Sequence, residues 1–129
     1  MIYIIDTYAW IEYFSGTKGG DTVKNLFANK ENKFITMECC LAEVLGYCLR
    51  NKLNFSELYK ILKSNSIILP VLRSHWIEAA KIRSEARKKV KDFGLIDSII
   101  VAKQNELKCM VISGDKHFKN LKKIIFIGS

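Results

Sequence analysis

The sequence predicts an α/β fold in which helices cover both faces of a central parallel sheet. Short, fully apolar segments alternate with helical segments along the chain, and no linker-like segment interrupts this alternation. Buried parallel strands form continuous apolar runs because helices cover both faces of their sheet. The length of 129 residues, with 49% hydrophobic and 26% charged residues, suits one globular domain. We therefore expect a single domain, residues 1–129, with three layers (α/β/α) and about five parallel strands.

The individual elements follow from apolar periodicity and from the residues that interrupt it. The first apolar run is residues 2–5, and the next segment places Trp10, Ile11 and Phe14 at helical spacing before a glycine-rich break at residues 15–20. The expected strands are residues 2–5, 33–37, 67–72, 109–112 and 124–127. The expected helices are residues 8–14, 21–28 with Asp21 as the cap, 38–50, 55–63, 75–90 and 95–106, followed by a helical turn at 116–121.

The chain carries an excess of positive charge. Its 21 lysines and arginines outnumber its 13 acidic residues, which gives a net charge of +8. The basic residues concentrate in residues 81–91 and 116–123, with a thinner spread over residues 50–63. A positive surface attracts polyanions such as nucleic acids. Lysine-rich faces are also ordinary solvated helix surfaces, so the charge becomes informative only beside a site.

Nothing in the sequence predicts export, a membrane span or a structural zinc site. The N-terminal apolar run stops at residue 5, and no apolar stretch approaches the ~18 residues that cross a bilayer. The four cysteines form no CxxC pair and have no histidines at ligand spacing, so we expect buried, reduced thiols. We therefore expect a cytoplasmic protein that does not associate with membranes.

The acidic residues can be sorted by their surroundings. Nine of them lie on polar helix surfaces, in loops or in the first turn of a helix. These nine are Glu12, Asp21, Glu31, Glu38, Glu57, Glu78, Glu85, Asp92 and Glu106. Asp6 and Asp115 instead end a strand and open a helical segment, at the carboxyl edge of the sheet where α/β folds place ligand sites. Each could also simply cap the helix that follows it.

Glu43 and Asp97 have no such explanation. Residues 39–49 contain no charge other than Glu43, and within residues 95–102 only Ser98 is also polar. A helix that is apolar nearly all round is expected to be buried on both sides, and a buried carboxylate without a partner is costly. No lysine or arginine lies three or four residues away, which leaves a long-range ion pair or a shared cation. Mg²⁺ and Mn²⁺ prefer such hard oxygen ligands.

Three segments carry a pattern of motifs in a fixed order. They read IIDTYAWIEYF (residues 4–14), LAEVLGYCLR (residues 41–50) and GLIDSIIVAKQNELKCMVISGDKHF (residues 94–118). The pattern is an Asp after the first strand, an LxE helix, an xIDxxIxA helix and a turn of the form S/T-x-D-x-x-F. It resembles the PIN-domain family, most closely the short single-domain VapC toxins. This resemblance implies a Rossmann-like PIN fold with about five parallel strands.

The resemblance also implies roles for individual residues. Four acids would form a metal site for one or two Mg²⁺ or Mn²⁺ ions. These acids are Asp6, Glu43, Asp97 and Asp115. Thr7 and Ser113 fall where the family places hydroxyl residues beside the acids, and Phe118 matches an aromatic that packs in the core. Glu43 would bind a second ion or orient the attacking water, and the two hydroxyls would position water or phosphate.

The activity implied by the resemblance is endoribonucleolytic hydrolysis of RNA phosphodiester bonds. Single-stranded or looped RNA is the expected target, because its bases are accessible. A VapC-like toxin would also form a homodimer and bind a cognate antitoxin protein. Two related interpretations stay open: a housekeeping PIN nuclease in RNA processing, and a non-catalytic PIN-like module that binds RNA or protein.

Other classes of protein also place acids at strand ends, but their motifs are missing. A response-regulator receiver would have an acid directly before Asp6, where this chain has Ile5. A haloacid-dehalogenase phosphatase would have Asp-x-Asp after the first strand, where residue 8 is Tyr8. The glycines match neither a P-loop nor a dinucleotide-binding fingerprint.

Overall fold

A computed structural model, which describes residues 1–128, contains five parallel strands and six α-helices. The strands are β1 (Ile2–Ile5), β2 (Lys33–Met37), β3 (Ile67–Leu69), β4 (Met110–Ser113) and β5 (Ile124–Phe126). The helices are α1 (Thr7–Ser15), α2 (Lys18–Ala28), α3 (Cys39–Asn51), α4 (Phe55–Asn65), α5 (Arg73–Ala86) and α6 (Leu95–Leu107), with a short 3₁₀ turn at Lys116–Phe118. The predicted α/β class and the predicted number of strands are confirmed.

The strand order places the ends of β1 and β4 side by side at the centre of the sheet. The order is β3-β2-β1-β4-β5, and every neighbouring pair is parallel. The chain builds outward from β1 to β3, then returns to place β4 on the other side of β1. Ile5 pairs with Ile112, so both strands end at the same level. Such a reversal of strand order opens a crevice at the carboxyl ends, where open α/β sheets bind ligands.

Two apolar clusters, one on each face of the sheet, form the core. On one face, Trp10, Val23 and Leu62 from α1, α2 and α4 pack against the strands and are fully buried. On the opposite face, Ala79 and Ile99 from α5 and α6 do the same. These are the two helical layers of the predicted α/β/α arrangement. Within residues 1–128, no helix is long and apolar enough to cross a membrane.

The second helix begins earlier than expected and includes two glycines of the predicted break. Thr17, not Asp21, caps α2: its hydroxyl accepts a hydrogen bond from the backbone N–H of Gly20 at 3.1 Å. Glycine is tolerated here because α1 and α2 pack backbone to backbone, and a Cβ on Gly20 would overlap the carbonyl oxygen of Glu12. The packing of the two helices therefore overrides the poor helix propensity of glycine.

Two other elements are shorter than expected. β3 ends at Leu69 rather than at residue 72, because Pro70 lacks the N–H needed to continue the ladder. α5 begins at Arg73 and ends at Ala86 rather than at residue 90. Beyond it the chain turns, and Arg87 donates from Nε to the carbonyl oxygen of Phe93 at 2.8 Å.

The prediction that α3 is buried on both sides is wrong. Val44 and Cys48 pack into one core cluster, and Cys40 packs into the other, so the helix sits at the edge of the sheet between the two layers. Its remaining side faces solvent, where Leu45 is 38% exposed and Leu49 is 73% exposed. A helix surface can be apolar and yet remain exposed in a single chain. The sequence pattern alone does not distinguish such a surface from a buried one.

Candidate active site

The crevice between the ends of β1 and β4 holds a cleft of about 180 Å³. All four acids that the sequence singled out line this cleft, together with one of the two predicted hydroxyl residues. These residues are Asp6, Glu43, Asp97, Asp115 and Thr7. Isoleucine side chains from α1 and α6 complete the lining. Four separate elements therefore deliver carboxylates to one point.

Asp6 lies at the bottom of the cleft and also caps α1. Its Oδ1 accepts a hydrogen bond from the N–H of Ala9 at 2.8 Å, and its Oδ2 accepts one from the Ser113 hydroxyl. Only 4% of Asp6 is exposed. Burial is the main reason that the pKa of its carboxyl rises to about 7. The hydrogen bonds from Ser113 and Ala9 lower this pKa, and the nearby charges of Asp115 and Asp97 raise it. Capping and a place in the cleft are thus compatible.

Asp115 caps the 3₁₀ turn, through its Oδ1, which accepts a hydrogen bond from the N–H of His117 at 2.9 Å. Ser113 connects it to Asp6. The fully buried Ser113 hydroxyl donates to Asp6 and accepts from the N–H of Asp115 at 3.0 Å. One hydroxyl therefore fixes the relative positions of the acids that follow β1 and β4.

Glu43 projects from α3 at the rim of the cleft. The Thr7 hydroxyl donates to its Oε1 at 2.6 Å, which orients the carboxylate. The residue as a whole is exposed, contrary to the expectation of a buried acid. Its carboxyl end is still partly desolvated in the cleft, which raises the pKa of Glu43, and the charges of Asp97 and Asp115 add to that rise.

Asp97 lies in the first turn of α6, where its side chain closes the start of the helix. Its Oδ2 accepts hydrogen bonds from the N–H of Gly94 at 3.2 Å and from Nδ1 of His117 at 3.0 Å. Burial raises the pKa of the Asp97 carboxyl, while the bond from His117 opposes the rise and the charge of Asp115 adds to it. Asp97 therefore has a histidine partner 20 positions further along the chain.

Three of the four carboxylates share one geometric feature: one oxygen is anchored and the other is uncommitted. Within residues 1–128, no group donates a hydrogen bond to Asp97 Oδ1, Asp115 Oδ2 or Glu43 Oε2. In addition, ligand atoms of Asp97, Asp115 and His117 all lie within 4.8 Å of one another. An acidic cluster with free, positioned oxygens is a donor set that suits a hard divalent cation.

Comparison with known proteins identifies the family. The PIN domain family model matches residues 3–124, nearly the whole chain. The chain belongs to the PIN-domain family. This confirms the resemblance seen in the sequence, and the parallel sheet between two helical layers is a three-layer α/β/α PIN fold. No curated protein matches the sequence.

Solved structures with the same PIN fold include VapC toxins and VapBC complexes. VapC20 from Mycobacterium tuberculosis, described as a sarcin-ricin loop cleaving toxin, has a TM-score of 0.73 at 17% identity, over 94% of this chain and 95% of that one. VapBC2 from Rickettsia felis, solved with a DNA fragment from its promoter, has a TM-score of 0.71 at 17% identity, over 98% and 97%. DNA-bound VapBC from Salmonella typhimurium has a TM-score of 0.69 at 16% identity, over 96% and 95%.

His117 was not among the predicted site residues of this PIN domain, yet it contacts two acids of the cleft. Its Nδ1 lies 3.0 Å from Asp97 Oδ2 and 3.4 Å from Asp115 Oδ1, and its Nε2 lies 3.2 Å from Asp92 Oδ1. Burial lowers the pKa of the imidazole, but the hydrogen bond to Asp97 and the nearby carboxylates of Asp92 and Asp115 outweigh this effect, and the net shift is upward. The sequence does contain one indication of this role, a histidine two residues after Asp115. The tight 3₁₀ turn then brings its ring back to the acids.

Proposed function

We propose that this PIN domain is a metal-dependent endoribonuclease. The observation that carries the proposal is the cleft in which four carboxylates converge, three of them with a free oxygen. Burial and, to a smaller extent, mutual repulsion raise the pKa values of Asp6, Glu43 and Asp97, which is an unfavourable arrangement for a protein without a ligand. A divalent cation would remove that cost. A non-catalytic binding module has no use for such a cluster.

The donor set fits Mg²⁺ or Mn²⁺, as one ion or two. Asp97 through Oδ1 and Asp115 through Oδ2 would hold the ion together with Asp6, and Glu43 would bind a second ion or orient the attacking water. When bound, the ion would act as a Lewis acid that stabilises charge developing on the scissile phosphate and makes water a better nucleophile. Hard carboxylate oxygens select such cations over softer ones.

The side chains around the cleft would supply positioning and proton transfer. Glu43 is the candidate general base, because the Thr7 hydroxyl fixes one of its oxygens at 2.6 Å and leaves the other free. Its raised pKa brings the carboxylate closer to the pH at which a base both stays ionised and accepts a proton readily. Ser113 would keep Asp6 and Asp115 in register while the substrate binds.

RNA is the proposed substrate, in single-stranded or looped form. The net charge of +8 favours a polyanion, and Lys116 begins the 3₁₀ turn that follows Asp115, while Lys119 lies directly after it. These lysines could neutralise backbone phosphates on either side of the cleavage point. Accessible bases let a protein of this size select its target without opening a duplex.

We further propose that the chain is the toxin of a VapBC-type pair, a single-domain cytoplasmic protein that forms a homodimer and binds a cognate antitoxin. The fold shared with VapC toxins and VapBC complexes supports this proposal. The exposed leucines of α3, Leu45 and Leu49, are the kind of apolar surface that protein partners cover. A short neighbouring gene for a DNA-binding antitoxin would favour a toxin over a housekeeping nuclease.

The test of the nuclease is cleavage of single-stranded RNA by the purified protein. We expect cleavage with Mg²⁺ or Mn²⁺, none in excess EDTA, and at least a hundredfold loss in Asp97→Asn, on the order of 3 kcal/mol of transition-state stabilisation. Asp21→Asn makes the same chemical change at an exposed acid on α2 and should cleave normally. Cleavage in EDTA, or an undiminished Asp97→Asn, would contradict the mechanism.

Thermal unfolding of the same proteins measures the metal site without relying on catalysis. A ligand that binds only the folded state stabilises it by RT ln(1 + [L]/Kd), about 2.7 kcal/mol at a hundredfold excess over Kd. Mn²⁺ should therefore raise the Tm of the wild type and of Asp21→Asn, but hardly that of Asp97→Asn. Without metal, Asp97→Asn should be at least as stable as the wild type, because it removes one of the repelling charges. An equal rise in all three proteins would place the ion elsewhere.

A further inference from the structure

A second cavity, which we call the Tyr8 groove, adjoins the acidic cleft. It encloses about 470 Å³, and its lining includes Tyr8, Thr17, Lys18, Phe126 and Ile127. Tyr8 lines the acidic cleft as well, so the two cavities meet at its side chain. The proposed reaction makes no use of this larger space.

The Tyr8 ring lies directly beside the residues of the cleft. Tyr8 follows Thr7 at the start of α1, and its ring rests on Gly114, the residue between Ser113 and Asp115. A Cβ on residue 114 would overlap ring atoms Cδ1 and Cε1, so the glycine lets the ring approach the backbone closely just after β4. Tyr8 is nevertheless 41% exposed, and among residues 1–128 its hydroxyl has no hydrogen-bond partner. An aromatic face is thus held in place and left open.

The far wall of the groove combines an aromatic ring with positive charge. Phe126 on β5 pairs with Ser113 in the sheet, and Lys119 Nζ lies 5.9 Å from the centre of its ring. Lys18 opens α2 on the other wall, where the first N–H groups of the helix add positive potential after the Thr17 cap. The described residues thus give the groove two aromatic rings and one lysine, and aromatic rings beside positive charge are typical of single-stranded nucleic acid binding.

We propose that the Tyr8 groove binds the nucleotide next to the scissile phosphate, with its base stacked on Tyr8 and its phosphate beside Lys18. This inference rests on the proposed action on RNA. Stacking suits the site because every base has a π-face and the ring is positioned before binding. Lys18 and the N-terminus of α2 supply the positive charge for the neighbouring phosphate, while, among residues 1–128, Glu12 is the one acid in the lining of the groove. Tyr8 is thereby assigned to substrate binding and not to bond cleavage.

The test measures binding in EDTA, where no cleavage takes place. The probes are a fluorescent single-stranded oligouridylate and an abasic oligomer with the same sugars and phosphates, titrated by fluorescence anisotropy. Tyr8→Leu should weaken binding of the oligouridylate roughly 5- to 150-fold, the usual range for one base–aromatic stack, and leave the abasic oligomer unaffected. Tyr8→Phe keeps the ring and should bind both as the wild type does. Lys18→Ala should weaken both probes equally and reduce the salt dependence of binding.

Tyr59→Leu is the matched control, since it makes the same substitution at a tyrosine on α4 that does not line the groove. It should change neither Kd. The proposal is overturned if Tyr8→Leu changes both probes equally or neither, or if the wild type does not bind the oligouridylate. If a peptide binds the groove and the affinity for RNA does not depend on Tyr8, the groove is a site for a protein partner. That result would overturn the proposal as well.

The two proposals fail in different ways. Tyr8-dependent binding by a protein that does not cleave RNA with Mg²⁺ or Mn²⁺ would leave the groove assigned and refute the nuclease. Metal-dependent cleavage with a KM and a Kd that Tyr8→Leu does not change would leave the nuclease and refute the groove. A normal Tm of Tyr8→Leu shows that its effect is not unfolding, as expected for an exposed residue.

Discussion

Three of the four acids of the cleft are positioned by small groups that contact only one of their oxygens, whereas both oxygens of Asp6 accept hydrogen bonds. The Thr7 hydroxyl holds Glu43, the N–H of His117 holds Asp115, and Asp97 is held by its own helix start and by the His117 ring. This arrangement fixes each of these three carboxylates while leaving an oxygen for a ligand. Hydroxyl, imidazole and backbone N–H groups next to the ligands are what orient a metal site.

His117 is expected to act through the acids rather than on the substrate. Removing the ring in His117→Ala leaves Asp97 with one donor and should weaken Mn²⁺ binding by roughly 10- to 100-fold, as losing a partner of a metal ligand usually does. His117→Asn carries an amide near the position of Nδ1 and should recover much of the affinity. Calorimetric titration of Mn²⁺ measures both Kd values. Equal Kd values for the wild type and His117→Ala would show that the ring does not position the site.

Individual residues of the cleft could be predicted from the sequence only where the chain itself places them. Asp6 and Asp115 follow strands, so their place at the same edge of the sheet follows from parallel topology. Asp97 is separated from His117 by 20 positions, and their contact depends on the geometry of a 3₁₀ turn. Glu43 was selected for its apolar neighbours, yet it is exposed and its place is fixed by a hydroxyl 36 positions away.

At the scale of elements, the packing of α1 on α2 decides where the second helix begins. The sequence correctly predicts a helix that ends at residue 28, but it assigns Gly19 and Gly20 to a loop because glycine is a poor helix former. The close approach of the two backbones makes glycine necessary at residue 20. That requirement depends on how the helices pack and leaves no local pattern in the sequence.

Two helical glycines should therefore respond in opposite ways to alanine. Gly20→Ala puts a methyl group onto the carbonyl of Glu12 in a backbone contact that cannot give way, and we expect a loss of about 1–3 kcal/mol. Gly46→Ala on α3 meets only the flexible end of Arg50, 3.3 Å away, and should gain up to about 1 kcal/mol of helix propensity. Urea unfolding of both variants gives the two values. A stable Gly20→Ala would mean that α1 and α2 can separate.

At the scale of the whole molecule, alternation of apolar strands and helices was sufficient to predict the layers of the fold. The strand order is not encoded in that alternation, since it depends on which side of β1 the chain takes when it forms β4. That choice creates the crevice, brings the ends of β1 and β4 together and allows one serine to bridge two acids. The site is thus a consequence of the reversal in strand order.

The crowding of acids should make the metal-free protein less stable as the pH rises from about 4 to about 7. Burial raises the pKa of Asp6 from 3.8 to about 7, so the folded state keeps a proton there that the unfolded chain has already released. Protonation therefore stabilises the folded state below this range, and that contribution is lost as the pH approaches 7. The full shift corresponds to at most roughly 4 kcal/mol. The raised pKa values of Glu43 and Asp97 act in the same direction.

Urea unfolding in EDTA across this pH range measures the effect in the wild type and in Asp6→Asn. The asparagine can accept from Ala9 and donate to Ser113 without a charge, so its stability should change much less with pH, while Asp21→Asn should follow the wild type. Saturating Mn²⁺ should reverse the slope for the wild type, because the ion binds the ionised acids and competes with protons. A wild-type protein whose metal-free stability rises from pH 4 to 7 would show that Asp6 is ionised in the folded state throughout, and that the cleft tolerates its charges without a cation.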